Sequence, residues 1–218
     1  AMKFRGINTT IPHKIEVLEY LDEISETAQL IGAVNTIVNN DGKLFGENTD
    51  GKGFMGSLAN AGVDPKEKKV VILGAGGAAR AITVELAFAG TRDFTIVNIP
   101  KDKHLADSLV SLLNEKTEAT ATYVEWSGTF RIPSNTDILI NATPIGLYPD
   151  VNDKPDIDYE TITRDMYVQD VIPNPAFTPF LAEAKKRGAK WQTGMGMLIN
   201  QAAINIKMWT GRDPNKEV

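Results

Sequence analysis

Apolar and polar positions along this chain follow two periods. Ile15, Leu18, Leu21 and Ile24 stand at helical spacing among Glu and Asp residues, which predicts a surface helix over 13–29. The run AVNTIV at 33–38 reads as a strand, and Asn39-Asn40-Asp41-Gly42 is turn chemistry for a hairpin into Lys43–Gly46. Thr49 or Asp50 can cap a helix over 51–61 that ends near Gly62. Beyond the charged stretch Asp64 to Lys69, the period changes. Val70-Val71-Ile72-Leu73 is a buried-type strand, Gly74-Ala75-Gly76-Gly77 a turn, and Ala78 to Ala89 a helix of small residues. Further strands are predicted at 94–98, 120–124, 138–140, 167–171 and 189–191, and further helices at 102–115, 176–187 and 195–210.

Strands alternating with helices imply an α/β fold, a doubly wound parallel sheet of the Rossmann type with helices on both faces. That pattern begins near residue 65, and residues 1–50 are too few to form a core alone. The predicted organisation is a dinucleotide-binding domain over 63–194 and a smaller, incomplete α/β substrate lobe over 1–62, completed by the last helix within 195–218.

The segment VVILGAGGAAR (70–80) fits G-x-G-x-x-[GA] in the context that gives the pattern value, after a strand and at the start of a helix. Gly74 permits the tight turn, Gly76 lets the backbone approach a pyrophosphate, and Ala79 lets the helix lie close to the strand. The helix start offers free N–H groups and partial positive charge to an anion. An ordinary tight strand-to-helix turn is the alternative. An acidic residue at the end of the next strand would favour NAD and an arginine NADP. The segment there reads Asn98-Ile99-Pro100-Lys101-Asp102-Lys103, and the lack of an arginine favours NAD.

Composition narrows the chemistry. The 218 residues are 42% hydrophobic and 23% charged, which excludes wholesale disorder. Lys and Arg number 23 against 28 Asp and Glu, so the net charge of −5 gives no gross basic footprint for nucleic acid or an anionic membrane. With no cysteine, disulfides, thiolate catalysis and Cys-ligated metals are excluded, and His13 and His104 alone make no His-rich metal site. No apolar run approaches the ~18 residues of a membrane span, and a cytoplasmic protein is expected.

Two loops ahead of the glycine turn are dense in polar side chains: Asn8-Thr9-Thr10 up to His13-Lys14, and Glu47-Asn48-Thr49-Asp50. Between them Asn35-Thr36 interrupts an apolar strand and must find a partner or a ligand. Lys14 could be a surface cation and Asp50 a plain N-cap. Together they also suit a dehydrogenase. A hydride leaves a secondary alcohol only if the hydroxyl proton leaves too, and a lysine oriented by a carboxylate can take that proton.

The segments GINTTIPHK, GAVNTI, GENTDGKG, VILGAGGAARA, NATPIG, DVIPNP and GMGMLINQAA occur in that order from Gly6 onward. Together they resemble the shikimate dehydrogenase family, which includes the quinate/shikimate enzymes. The resemblance implies reversible, NAD- or NADP-dependent reduction of 3-dehydroshikimate to shikimate, in aromatic amino-acid biosynthesis, with some members acting on quinate. It implies Lys14 as the catalytic lysine and Asp50 as its partner, with Thr10, Asn35 and Gln201 holding the substrate. It places Gly74, Ala75, Gly76, Gly77 and Ala78 at the pyrophosphate, Asn98 beside the ribose, Thr143 in the loop beneath the cofactor, and Gly194 beside the nicotinamide. Read without the resemblance, Gln201 is equally a surface or interhelical amide.

Three departures accompany it. The family's N-terminal βα portion, with a Ser-x-Ser element for the substrate carboxylate, is not present ahead of Gly6, so an N-terminally shortened member is expected. Pro173 stands where the family commonly has a tyrosine, and Asn98-Ile99-Pro100 replaces an Asn-Arg-Thr signature of NADP binding. Two other functions stay open: a non-catalytic dinucleotide-binding module, and a dehydrogenase of a shifted cyclic polyol acid. The expected partner is a small cyclic hydroxy acid, with no nucleic acid or membrane, and an exposed strand edge in the small lobe could pair two copies as a homodimer.

Overall fold

The computed structural model describes residues 4–10 and 12–215. Ile11 of the GINTTIPHK segment, and residues 1–3 and 216–218 at the ends of the predicted small lobe, lie outside the described residues.

Two sheets organise the chain. The larger is built from β5 (Lys69–Leu73), β6 (Asp93–Asn98), β7 (Thr120–Glu125), β8 (Ile138–Asn141), β9 (Tyr167–Asp170) and β10 (Lys190–Gln192). Its order is β10-β9-β8-β5-β6-β7, and every pairing is parallel. The chain winds outward from β5 on one side and from β8 on the other, which opens a crevice at the strands' carboxyl ends. Its central strands read as continuous apolar runs because both faces are covered. Val70, Ile72, Phe94 and Ile96 pack on one face with Ile82 and Leu86 of α4 (Gly77–Phe88) and Leu109 and Leu113 of α5 (Lys103–Lys116). Val71, Leu73, Leu139 and Val168 pack on the other with Phe180, Leu181 and Ala184 of α6 (Pro179–Lys186).

The smaller sheet has the order β1-β3-β4-β2: β1 (Gly6–Asn8), β3 (Thr36–Asn40), β4 (Lys43–Glu47) and β2 (Glu23–Ile24). The predicted Asn/Asp/Gly hairpin is the antiparallel β3–β4 pair, with Asp41 at φ 53° and Gly42 at φ 105° in its turn. Strand β3 begins later than the sequence suggests because Val34 donates to the Lys14 carbonyl (2.8 Å) and Asn35 to that of Glu47 (3.1 Å).

The predicted helix over 13–29 is a correction. The chain forms α1 (His13–Glu16), a 3₁₀ turn over Val17–Tyr20, extended Leu21, strand β2, and α2 (Glu26–Ile31) capped by Ser25. Leu18, Leu21 and Ile24 do reach the core against Val34 and Ile37, but from an irregular path, while Ile15 is 67% exposed. Helix α6 is shorter than predicted, since Thr178 caps it and Pro179 opens it.

Helices α3 (Asp50–Asn60) and α7 (Gly194–Thr210) carry the chain between the sheets. They touch through glycine. A Cβ on Gly53 would stand 2.6 Å from the Met197 carbonyl oxygen and 2.8 Å from Gln201 Cβ, and one on Gly56 would stand 2.9 Å from Asn200 Cγ. On its other side, Gly51 lies against the Ala81 carbonyl of α4. Arg80 of α4 ties the same helix to the small lobe: its Nε donates to the Ile31 carbonyl (2.5 Å) and Nη2 to that of Leu30 (3.3 Å), both at the open end of α2. Among the described residues, no helix is long and apolar enough to cross a membrane.

In a free helix Gly→Ala is stabilising by up to ~1 kcal/mol. Here the α3–α7 contact reverses the sign. Gly53→Ala is expected to destabilise by about 1–3 kcal/mol, read as a lower urea midpoint with unchanged m. A stabilised variant would show that the helices separate freely.

Candidate active site

Lys14 and Asp50, distant in sequence, meet. Lys14 Nζ donates to Asp50 Oδ2 at 2.7 Å, with the side chains 25% and 15% exposed, so the pair is shielded yet reachable. Asp50 is the first residue of α3, where the helix end favours an anion. Its other oxygen, Oδ1, accepts from Asn35 Nδ2 at 2.8 Å. Asn35 is itself immobilised and almost fully buried. Its Oδ1 accepts from the Thr49 N–H at 2.8 Å, and its second Nδ2 proton goes to Thr49 Oγ1 at 3.1 Å. Thr9 fastens the first loop to this strand, donating from its N–H to the Asn35 carbonyl (2.9 Å) and from its hydroxyl to that of Val34 (2.6 Å).

Thr10 is exposed, and its carbonyl accepts from the His13 N–H at 2.8 Å to open the turn that carries Lys14. Gln201, partly exposed on α7, has its Cβ against Gly53, one helical turn from Asp50. The five predicted catalytic and substrate-holding residues thus fall on neighbouring segments: Thr10 in the loop before α1, Lys14 in α1, Asn35 just ahead of β3, Asp50 at the head of α3 and Gln201 in the middle of α7.

The helix that carries the glycine turn packs against the head of α3: Gly51, next to Asp50, abuts Ala81 of α4, one turn beyond that helix's start. Gly74 has φ +98°, a conformation only glycine adopts freely, and donates to the Val97 carbonyl at 2.7 Å. Gly76 caps α4, and a Cβ on Gly76 or Gly77 would meet nothing within 4 Å. Exposed, unobstructed backbone at a helix N-terminus is what a pyrophosphate requires, so the turn fits the cofactor. Ala75 is buried in the turn and Ala78 half-buried in the first turn of α4. Thr143 lies close to Gly74 and is set by Asn141, whose Oδ1 accepts from its N–H (3.1 Å) and hydroxyl (2.7 Å). Gly194 heads α7 so tightly that a Cβ would stand 2.5 Å from the carbonyl oxygens of Val171 and Ile172.

Asn98 is buried and spends its amide on the Asp102 carbonyl (2.8 Å), shaping the loop after β6. Its neighbour Ile99 lines a cavity of about 280 Å³ with Trp126, Gly128, Ile145, Lys154 and Asp156, at the carboxyl edge of the sheet.

Two side chains escaped the sequence reading. Asp170, within DVIPNP, is wholly buried at the end of β9. It accepts from Thr178 Oγ1 (2.6 Å), Asn141 Nδ2 (3.1 Å) and the Ile172 N–H (3.1 Å), and so ties together the loops after β8 and β9. Asn205 is 2% exposed on α7, below Gln201. The signal for both was a polar side chain in an apolar segment.

Comparison with known proteins agrees with this architecture. The family description "Shikimate dehydrogenase substrate binding domain" matches residues 1–37, and "Shikimate 5'-dehydrogenase C-terminal domain" matches residues 194–218. Shikimate dehydrogenase (NADP(+)) of Methanocaldococcus jannaschii is 47% identical over 100% of this chain and 76% of its own. The ligand-free 5-ketofructose reductase of Gluconobacter sp. strain CHM43 is 51% identical with a TM-score of 0.91, over 97% of this chain and 75% of that one. Shikimate 5-dehydrogenase from Listeria monocytogenes, in complex with shikimate and NAD, is 33% identical with a TM-score of 0.89, over 97% and 75%.

Burial pushes Asp170 up from 3.8 to about 6, against the hydrogen bonds that favour its anion. The folded carboxyl therefore holds its proton more tightly than the unfolded one, and stability falls as pH rises between those two values. Relative to Asp170→Asn, the unfolding free energy is expected to drop by about 2–3 kcal/mol from pH 4 to pH 7, measured by urea titration across that range. A pH-independent difference between the two proteins would contradict this.

Proposed function

The chain belongs to the shikimate dehydrogenase family, and we propose that it is an NAD(P)-dependent oxidoreductase interconverting shikimate and 3-dehydroshikimate. The observation that carries the reading is the Lys14–Asp50 pair at 2.7 Å, braced by Asn35, at the head of a helix that packs on the one opened by the unobstructed glycine turn.

When bound, the nicotinamide nucleotide takes up or returns the hydride. In alcohol oxidation, Lys14 Nζ accepts the substrate's hydroxyl proton as the carbon loses hydride; in ketone reduction Nζ–H returns a proton to the carbonyl oxygen. Asp50 orients the amine and offers a carboxylate oxygen to a substrate hydroxyl. Asn35, Thr10 and Gln201 hold the remaining polar groups of the cyclic acid. The N–H groups from Gly76 through Ala78, beside Gly74 and Ala75, hold the pyrophosphate. Asn98 shapes the adenosine end, where Ile99, Trp126 and Ile145 supply an apolar wall for a purine. Thr143 and Gly194 flank the nicotinamide end. The lobes divide as 1–62 with 195–218, and 63–194, and a cytoplasmic location suits such a biosynthetic enzyme.

A second reading has its own support: the 51% identity to a 5-ketofructose reductase, together with Pro173 at the position where the family commonly carries a tyrosine. On that reading the same pair reduces the ketone of a neutral sugar.

A panel at 340 nm (the reduced-nicotinamide band), with shikimate and quinate against each oxidised nucleotide and 5-ketofructose against each reduced one, separates the two. Nucleotide reduction by shikimate or quinate is expected. Turnover of 5-ketofructose alone selects the second reading, and calorimetric heat for nucleotide without turnover of any compound leaves a binding module. Lys14→Ala is expected to lower kcat by about 10²–10⁴-fold with nucleotide affinity unchanged. Undiminished turnover would remove Lys14 from the chemistry.

A further inference from the structure

We propose that Asn205 is a positioning residue for the Lys14–Asp50 pair, acting through Thr36, Thr49 and Asn35. The inference rests on the reading of that pair as catalytic. Asn205 lies one helical turn beyond Gln201 on α7 and is buried in the small lobe, among side chains of β3 and the loop before α3. Two hydroxyls converge on its Oδ1: Thr36 Oγ1 donates at 2.8 Å and Thr49 Oγ1 at 2.7 Å.

Each hydroxyl has one proton, and the nearest acceptor for each is the Asn205 oxygen, which sets the direction of the chain. Both hydroxyls also lie within reach of Asn35 Oδ1, at 3.1 Å and 3.2 Å, and of each other at 3.1 Å, but the Asn205 oxygen is closer to each. With both protons committed to Asn205, the lone pairs of the threonine oxygens are free to accept. Thr36 Oγ1 accepts from Asn8 Nδ2 at 3.1 Å, and Thr49 Oγ1 from Asn35 Nδ2 at 3.1 Å. That second bond sets which way the Asn35 amide faces. Its oxygen meets the Thr49 N–H, and its remaining N–H meets Asp50 Oδ1 at 2.8 Å. The carboxylate is thereby left with Oδ2 aimed at Lys14. Among the described residues no hydrogen bond joins Asn205 to either member of the pair, yet its oxygen is where the chain of donors ends.

Replacing Asn205 with Ala removes the common acceptor and leaves two buried hydroxyl protons. One hydroxyl can turn to the other, 3.1 Å away, and the proton left over then competes for Asn35 Oδ1, which already accepts from the backbone, so the amide loses its single orientation. A small misplacement of reacting groups is enough to slow chemistry strongly. The effect belongs in kcat, because the nucleotide turn lies on another helix.

The test uses the full chain and two readouts. Asn205→Ala is expected to lower kcat about tenfold or more, with the KM for nucleotide within about twofold. The Asn35 side-chain amide protons, followed by NMR, are expected to exchange with solvent at least about ten times faster. Thr49→Val should give a similar kcat loss, and the double variant should be no more than about twofold worse than the poorer single one, because the residues act as one unit. Should Asn205→Ala fail to fold, Thr36→Val removes one converging hydroxyl at constant shape and carries the same expectations. Amide exchange as slow as in the parent, kcat within twofold of it, or losses that multiply in the double variant would each overturn the inference. The exchange readout is independent of turnover, so a failure of Lys14 as the base would show separately.

Discussion

The close approach of three helices is the constraint on which this molecule rests. Helix α3 has no Cβ at Gly51 where it meets α4, nor at Gly53 and Gly56 where it meets α7. Packing this tight stabilises through many small dispersion contacts, and tolerates little change in volume. Its first residue is Asp50, so the position of the carboxylate is set by backbone contacts on both sides of one helix. A side chain in any of the three glycine positions would move the carboxylate relative to the glycine turn or to Gln201. The catalytic geometry and the union of the two sheets are therefore one packing problem.

Around that helix the groups that brace the site are polar and buried. Amide, hydroxyl and carboxylate groups are costly to bury singly, and become specific when every partner is supplied. Asn35 satisfies this with its carbonyl on a backbone N–H and its two donors on Thr49 and Asp50. Asp170 does the same at the carboxyl edge of the larger sheet, where Asn141 joins it to the Thr143 turn. Both networks pin loops that carry no regular hydrogen-bond ladder of their own. The wall of the active site is thus rigid where the backbone alone would leave it loose.

Much of this was legible in the residues. The parallel sheet announced itself because strands covered on both faces read as apolar runs, and α3, α4, α5 and α7 fell within a residue or two of their predicted ends. The glycine turn and the Lys14–Asp50 pair were visible because unusual polar density stood at element boundaries. The region 13–29 misled, since Leu18, Leu21 and Ile24 keep helical spacing while a 3₁₀ turn, an extended residue and a two-residue strand deliver them to the core. Periodicity reports which residues are buried, not the path that buries them. Asn205 stayed hidden because its partners, Thr36 and Thr49, lie more than 150 residues away in the chain. Asn98, expected at the cofactor, also has a partner that the sequence did not reveal, the Asp102 carbonyl of the loop it shapes.

The α3–α7 contact also describes how the chain is threaded. The polypeptide leaves the small sheet along α3, builds all six parallel strands, and comes back along α7 against the helix by which it left. The parallel-sheet portion is therefore an insertion whose two ends meet. Since the ends of an inserted segment must be brought together before either helix can pack, the insert pays its closure entropy internally, through its own sheet. A graft that exchanged everything between these helices for another doubly wound unit would keep the host's connectivity, provided the newcomer's ends lie as close as two helices touching through glycine.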